Sequence, residues 1–301
     1  MTDRVLLGVM LMLGFTAVAP LLDVFAKLAA AEIPVGEVTT ARFLGQAVFM
    51  APVCVAMRLG LGLRAGLVPA VALRAGLLIV STFCFVAAIR VMPLADALAI
   101  AFVLPFVLLF LGRFVNGEEI GPRRLSAAVA GFIGVVVVIQ PSFAAFGPVA
   151  FFPLATAVSF AGYMVVTRRL SRHLHPVAMQ YQTGLVALVF CVPVLALADG
   201  RGWPALDPVL PAGVFWLYLL GVGFFATLSH LLMTFALRFA PSATLAPLNY
   251  MEIISAVFWG YLVFGDFPNA TAMAGIAIIL AAGLYVVWRE RVSAATAAPS
   301  A

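Results

Sequence analysis

Ten runs of about twenty apolar residues follow one another along the chain, at 5–28, 35–57, 70–90, 94–115, 123–140, 147–167, 176–198, 211–237, 241–263 and 269–288. Short breaks rich in turn and charged residues separate them, among them Pro34, Pro93, Arg168–His175, Pro241 and Asp266–Asn269. This succession leaves one class of fold. Each run is long enough to cross a bilayer as a helix, where every backbone N–H and C=O is satisfied within the segment.

Composition agrees. Of 301 residues, 65% are hydrophobic and only 10% are charged, with a mean hydropathy of +1.17. So few charges do not cover the surface of a water-soluble domain of this size. A cytosolic enzyme, a nucleic-acid-binding module and a disordered chain are excluded on this ground. The expectation is an all-α integral membrane protein with ten spans. The net charge of +5 is read as loop charge, with no nucleic-acid partner. Cys54, Cys84 and Cys191 each sit in an apolar run without CxxC spacing, so no disulfide framework, zinc site or other cofactor is expected.

With ten spans both termini lie on one side. That side collects Arg4, Arg58, Arg64, Arg74, Arg113, Arg123, Arg124, Arg168, Arg169, Arg172, Arg238, Arg289 and Arg291, while Lys27, Arg90 and Arg201 fall opposite. The positive-inside rule makes it the cytoplasmic side of a bacterial inner membrane. The stretch 292–301 reads as a disordered tail.

The chain also repeats itself. At an offset of 148 residues, Ser81 meets Ser229, Arg90 meets Arg238, Pro93 meets Pro241, Gly117 meets Gly265 and Glu118 meets Asp266. At 142, Lys27 meets Arg169 and Pro34 meets Pro176. Two units result, 1–145 and 146–291, each of five spans. Five is odd, so the second enters the membrane inverted. Inverted repeats are an architecture of alternating-access carriers. Pro93 and Pro241 then mark equivalent tight hairpins, the expected hinges.

These corners carry a resemblance. Ile89-Arg90-Val91-Met92-Pro93 with Phe114-Val115-Asn116-Gly117-Glu118, echoed by Leu237-Arg238-Phe239-Ala240-Pro241 with Leu262-Val263-Phe264-Gly265-Asp266, resemble the EamA family of the drug/metabolite transporter superfamily. The resemblance covers nearly the whole chain. It implies a ten-helix carrier, and within the family the aromatic amino-acid exporters are the nearest in general character. Asp266 departs mildly from the family's usual Gly-Glu corner.

Polar residues inside the spans need a reason, because a charge at mid-helix costs about 2.5–3.5 kcal/mol on insertion scales. Several share a helix face: Thr39, Arg42 and Gln46; Thr156, Ser159, Tyr163 and Thr167; Thr227, His230 and Thr234; Asn249, Glu252 and Ser255. Bland roles compete. Asp23 and Lys27 are spaced as an i,i+4 pair. Glu37 and Asp96 suit helix starts. Arg42, near an end of its span, has the stem to snorkel. His230 and Glu252 lie deeper, and structural pairing and function weigh equally for them. The expected substrate cavity combines the aromatic walls Phe85 and Phe102 with Tyr163, His230, Asn249 and Tyr250, while Glu252, Asp23 and Arg42 serve proton coupling or structural pairing. Such a site has few fixed charges and suits a neutral or zwitterionic small molecule, foremost an apolar or aromatic amino acid. From the resemblance, the direction is export. Uptake of a vitamin or nucleoside-like compound is the alternative, and a channel is the alternative of another class. No metalloprotease, nucleophile-elbow or P-loop motif occurs, so no enzyme is expected.

Overall fold

A computed structural model describes residues 5–104, 106–108, 110–111, 122–240, 245, 248–249 and 251–297. All regular structure among them is helical. We number the α-helices α1 (Val5–Ala29), α2 (Val35–Ala56), α3 (Val68–Ile89), α4 (Leu94–Ala101), α5 (Pro122–Phe146), α6 (Phe152–Leu170), α7 (Pro176–Ala198), α8 (Phe215–Phe239), α9 (Met251–Phe264) and α10 (Ala270–Ala297). Among the described residues, six helical segments are long and apolar enough to cross a membrane: Leu6–Ala29, Val35–Ala56, Ala65–Ile89, Ser142–Leu170, Pro176–Ala198 and Phe215–Phe239. Shorter apolar stretches fill the places of the other four expected spans, at 94–108, 129–138, 251–264 and 270–282.

Several boundaries differ from expectation for local reasons. The expected break at Pro141 is absent, and α5 continues to Phe146. The chain turns instead at Gly147, whose φ of +63° is open to glycine at little cost. The fourth span is interrupted: α4 ends at Ala101, and Phe102 and Val103 form a turn before helix resumes at Leu104. At the far end α10 reaches Ala297, into the stretch expected to be a disordered tail. Pro241 and the Gly117-Glu118 corner lie outside the described residues.

The helices pack in a regular scheme. α1 lies against α8, and α3 against α6; α2 against α7, α5 against α10 and α4 against α9. α2 also crosses α8, where a Cβ placed on Gly223 would lie 2.8 Å from the Gly45 Cα. Only a glycine pair lets these backbones meet so closely. The buried core is mostly apolar, but polar side chains within the spans turn inward. On α2, Thr39, Arg42 and Gln46 are buried, while Leu44, Val48 and Val55 are more than half exposed. That arrangement buries polar groups among helices and gives apolar ones to lipid.

Candidate functional site

Where α1, α2, α3, α4, α6, α8 and α9 converge, they leave a cavity of about 110 Å³. That is room for on the order of eight water molecules. Its wall is mostly apolar and aromatic: Phe15 from α1, Phe85 from α3, Phe102 just after α4 and Phe160 from α6. The polar groups come from six helices: Asp23 from α1, Arg42 from α2, Ser81 and Thr82 from α3, Thr156 from α6, His230 from α8 and Glu252 from α9. An apolar wall with a few convergent polar groups is the usual form of a small-molecule site.

Behind the cavity runs a hydrogen-bonded chain that ties α2, α3, α6, α7 and α8 together. Arg42 donates from Nη1 to Thr82 Oγ1, and its Nη2 lies 2.6 Å from His230 Nε2. Arginine has donors only, so Nε2 must accept. The other ring nitrogen then carries the hydrogen, and Nδ1–H donates to the Tyr163 hydroxyl oxygen at 3.1 Å. That oxygen also accepts from Arg74 Nη2 at 2.8 Å, and the Arg74 guanidinium lies 4.6 Å from the Tyr163 ring centre. Arg74 Nε donates to Thr167 Oγ1 at 2.8 Å, and its Nη1 to Thr183 Oγ1. The ring of His230 is further held edge-on by Phe15, Phe160 and Tyr163. A second chain braces the same histidine from the backbone side. Gln46 Nε2 donates to Gln180 Oε1 at 2.8 Å, Gln180 Nε2 to Thr234 Oγ1 at 2.8 Å, and Thr234 Oγ1 to the His230 carbonyl at 2.7 Å.

The expected site residues divide. Phe85, Phe102 and His230 line the cavity, and so do Asp23, Arg42 and Glu252. Tyr163 is fully buried behind His230 and is not among the lining residues. Asn249 is buried too, and also outside the lining. Tyr250 lies outside the described residues.

Three expectations need correction. Arg42 does not snorkel: it is 2% exposed and points inward to Thr82 and His230. Arg74 is no loop residue. α3 begins at Val68, which carries Arg74 into the buried interior at 0% exposure. Lys27 does not pair with Asp23 one turn away. Its Nζ lies 2.8 Å from Asp266 Oδ2 and donates to the Met92 carbonyl at 3.0 Å, while Asp23 faces the cavity. The half-buried Lys27 thus closes onto the α9–α10 corner, and Asp96, buried in the first turn of α4, feels both charges. The cavity consequently holds more fixed charge than the sequence suggests.

Phe15, Phe160 and Thr82 were missed as lining residues. Phenylalanine is so common here, 25 of 301, that no single one stands out from packing aromatics. Arg74 had a signal, a charge beside an apolar run, but at the run's edge it reads as a loop residue.

Comparison with known proteins fits the geometry. Residues 147–288 match the EamA-like transporter family. The chain is 28% identical to a riboflavin transporter of Brucella anthropi over 68% of this chain and 71% of that protein. It is 26% identical to an S-adenosylmethionine uptake transporter of Rickettsia felis over 67% of this chain and 66% of that one. Against a pseudopaline exporter of Pseudomonas aeruginosa it is 26% identical over 91% of this chain and 94% of that protein. A crystal structure superposes with a TM-score of 0.69 at 18% identity, covering 93% of this chain and 97% of that one, a likeness of fold.

Proposed function

Because residues 147–288 match the EamA-like transporter family, we propose that the chain is a secondary carrier for a small zwitterionic metabolite, working by alternating access. The observation that carries this reading is the cavity itself, lined from both halves of the chain and containing charged groups that lipid does not tolerate without a reason. Relatives named as transporters and exporters support it.

Two inverted five-helix units, 1–145 and 146–291, account for the packing scheme. Advancing every helix number by five turns α1–α8 into α6–α3, and leaves the pairs α2–α7, α4–α9 and α5–α10 as themselves. A two-fold relation between the halves has this property. In such a carrier each half adopts the other's conformation in turn, which opens one central site to either side. Both termini lie in the cytoplasm on this reading, from the charge asymmetry of the loops. Pro93 and Pro241 are the hinges of equivalent hairpins.

The substrate reading is an apolar or aromatic amino acid, carried outward. Four phenylalanines in the lining support the side chain, and the charged groups support the head. Asn249 and Tyr250 are kept in this reading as substrate contacts that mutation to Ala would test. Uptake is the second reading, favoured by a relative named as an S-adenosylmethionine uptake transporter, and a vitamin substrate by one named as a riboflavin transporter. Counterflow in proteoliposomes decides. Vesicles preloaded with an amino acid should accumulate the labelled form with saturation. Linear, unsaturable flux would mark a channel, and no flux of any amino acid would remove the substrate reading.

A further inference from the structure

Among the described residues there is one salt bridge, Lys27–Asp266, and neither partner lines the cavity. Three charged side chains do line it: Asp23, Arg42 and Glu252. No Asp23 or Glu252 oxygen therefore lies within 4.0 Å of an Arg42 nitrogen. Opposite charges face one cavity and are held apart. Arg42 is 2% exposed and Asp23 8%, so their desolvation is not repaid by contact with each other.

Each side is built as a receptor. The Arg42 guanidinium belongs to a cavity-lining residue and is pinned by Thr82 and His230, which take two of its five N–H donors. A pinned guanidinium with a donor to spare is the group that takes a carboxylate. Asp23 from α1 and Glu252 from α9 both face this one cavity. Two carboxylates in one place favour a cation between them. The other titratable group in the lining is His230, which is occupied with Arg42.

Resting on the reading of this cavity as the substrate site, we infer that Arg42 takes the anionic group of the substrate and that Asp23 and Glu252 take its cationic group. The carrier then selects zwitterions by the separation of their charges. The phenylalanine walls hold the remainder.

The test compares amino acids with analogues lacking one charge. The full-length protein in detergent is titrated with phenylalanine, leucine and methionine, and with the corresponding amines and deaminated acids, using the ligand-induced rise in thermal midpoint. The wild type should bind the best amino acid at least about tenfold more tightly than its amine or its acid. Arg42→Gln should erase the margin over the amine and keep the margin over the acid. Asp23→Asn with Glu252→Gln should do the reverse, and tests the assignment even if Arg42→Gln does not fold. Equal binding of all three forms by the wild type overturns the inference, as does a folded variant that keeps both margins. Counterflow of riboflavin without any such margin would leave the carrier reading standing and remove only the charge assignment. Counterflow of no probe would remove the carrier reading.

Discussion

Gly134 on α5 and Gly275 on α10 are each other's contact. A Cβ added to Gly134 would lie 3.0 Å from the Gly275 carbonyl oxygen, and one added to Gly275 would lie 2.8 Å from that of Gly134. Their neighbours reciprocate: Gly134 faces Ile279, and Gly275 faces Val138. A contact in which i meets j and j meets i is what a two-fold axis produces. We expect Gly134→Ala and Gly275→Ala to destabilise the folded protein alike, each by roughly 1–3 kcal/mol through overpacking. Thermal unfolding in detergent measures it. A large effect at one position with none at the other would speak against the symmetric contact.

The Lys27–Asp266 bridge joins α1 to the α9–α10 corner next to the cavity residue Ala26. Asp266→Asn keeps the side chain's shape and removes its charge. The bond is partly exposed, so stability should change by about 1 kcal/mol or less. Access should change more. A cysteine at Ala26 should react faster with a membrane-impermeant thiol reagent when Asp266 is Asn. Equal labelling rates would mean that the bridge does not hold this end of the cavity shut.

His175, between α6 and α7, caps α7 with its ring, Nδ1 accepting from the Val177 N–H at 3.4 Å. Burial, helped by the Arg238 charge, holds its pKa below the ordinary 6.5. Protons therefore bind the unfolded chain more readily, and the cap's contribution is present above pH 6.5 and lost as pH falls through the folded value. The thermal midpoint should drop as pH is lowered from 7 through 6.5 and below. In His175→Asn, which keeps a capping oxygen without a titrating ring, this part of the slope should vanish. An unchanged slope would assign the acid sensitivity elsewhere.

Gly62, between α2 and α3, and Gly200, after α7, are both exposed. The ten-span reading puts them on opposite faces of the membrane. Cysteines there should label from opposite sides of intact cells or oriented vesicles, with Gly200→Cys reacting from outside. Labelling of both from one side would break the ten-span topology.

Much of this was legible. Apolar runs located the helices because a span must satisfy its own backbone. Helical spacing placed Thr39, Arg42 and Gln46 on one face, and likewise Thr227, His230 and Thr234, and all six are buried. Partners across the fold were not legible. Asp266 lies far along the chain from Lys27, and nothing local to Lys27 distinguishes it from the nearer Asp23. Arg42 and His230 were singled out separately, but their bond needs the packing of α2 on α8. The interruption after Ala101 did carry a signal: Pro105 has no N–H to give the Ala101 carbonyl four residues back, but hydropathy alone runs straight through it.

Arg74 poses the sharpest energetic question. It is wholly buried, it donates to three hydroxyls, and it has no salt-bridge partner among the described residues. Thr167 and Thr183 spend their own hydrogens on backbone carbonyls, so they lose only a donor if Arg74 is replaced. Taking a guanidinium out of water costs several kcal/mol, and among the described residues no carboxylate repays that cost for Arg74. Arg74→Met should therefore leave the thermal midpoint near wild type or raise it, whereas Arg74→Ala, which leaves a void, should cost about 2–5 kcal/mol. Transport should fail in both. Without the Arg74 donor the Tyr163 hydroxyl is free to turn and donate to His230 Nδ1. The ring can then carry its hydrogen on Nε2, which no longer accepts from Arg42. A transport rate at least about tenfold below wild type in a fully stable Arg74→Met protein would separate the two roles. Wild-type transport in that variant would mean that the chain from Arg74 to Arg42 holds the helices together and nothing more.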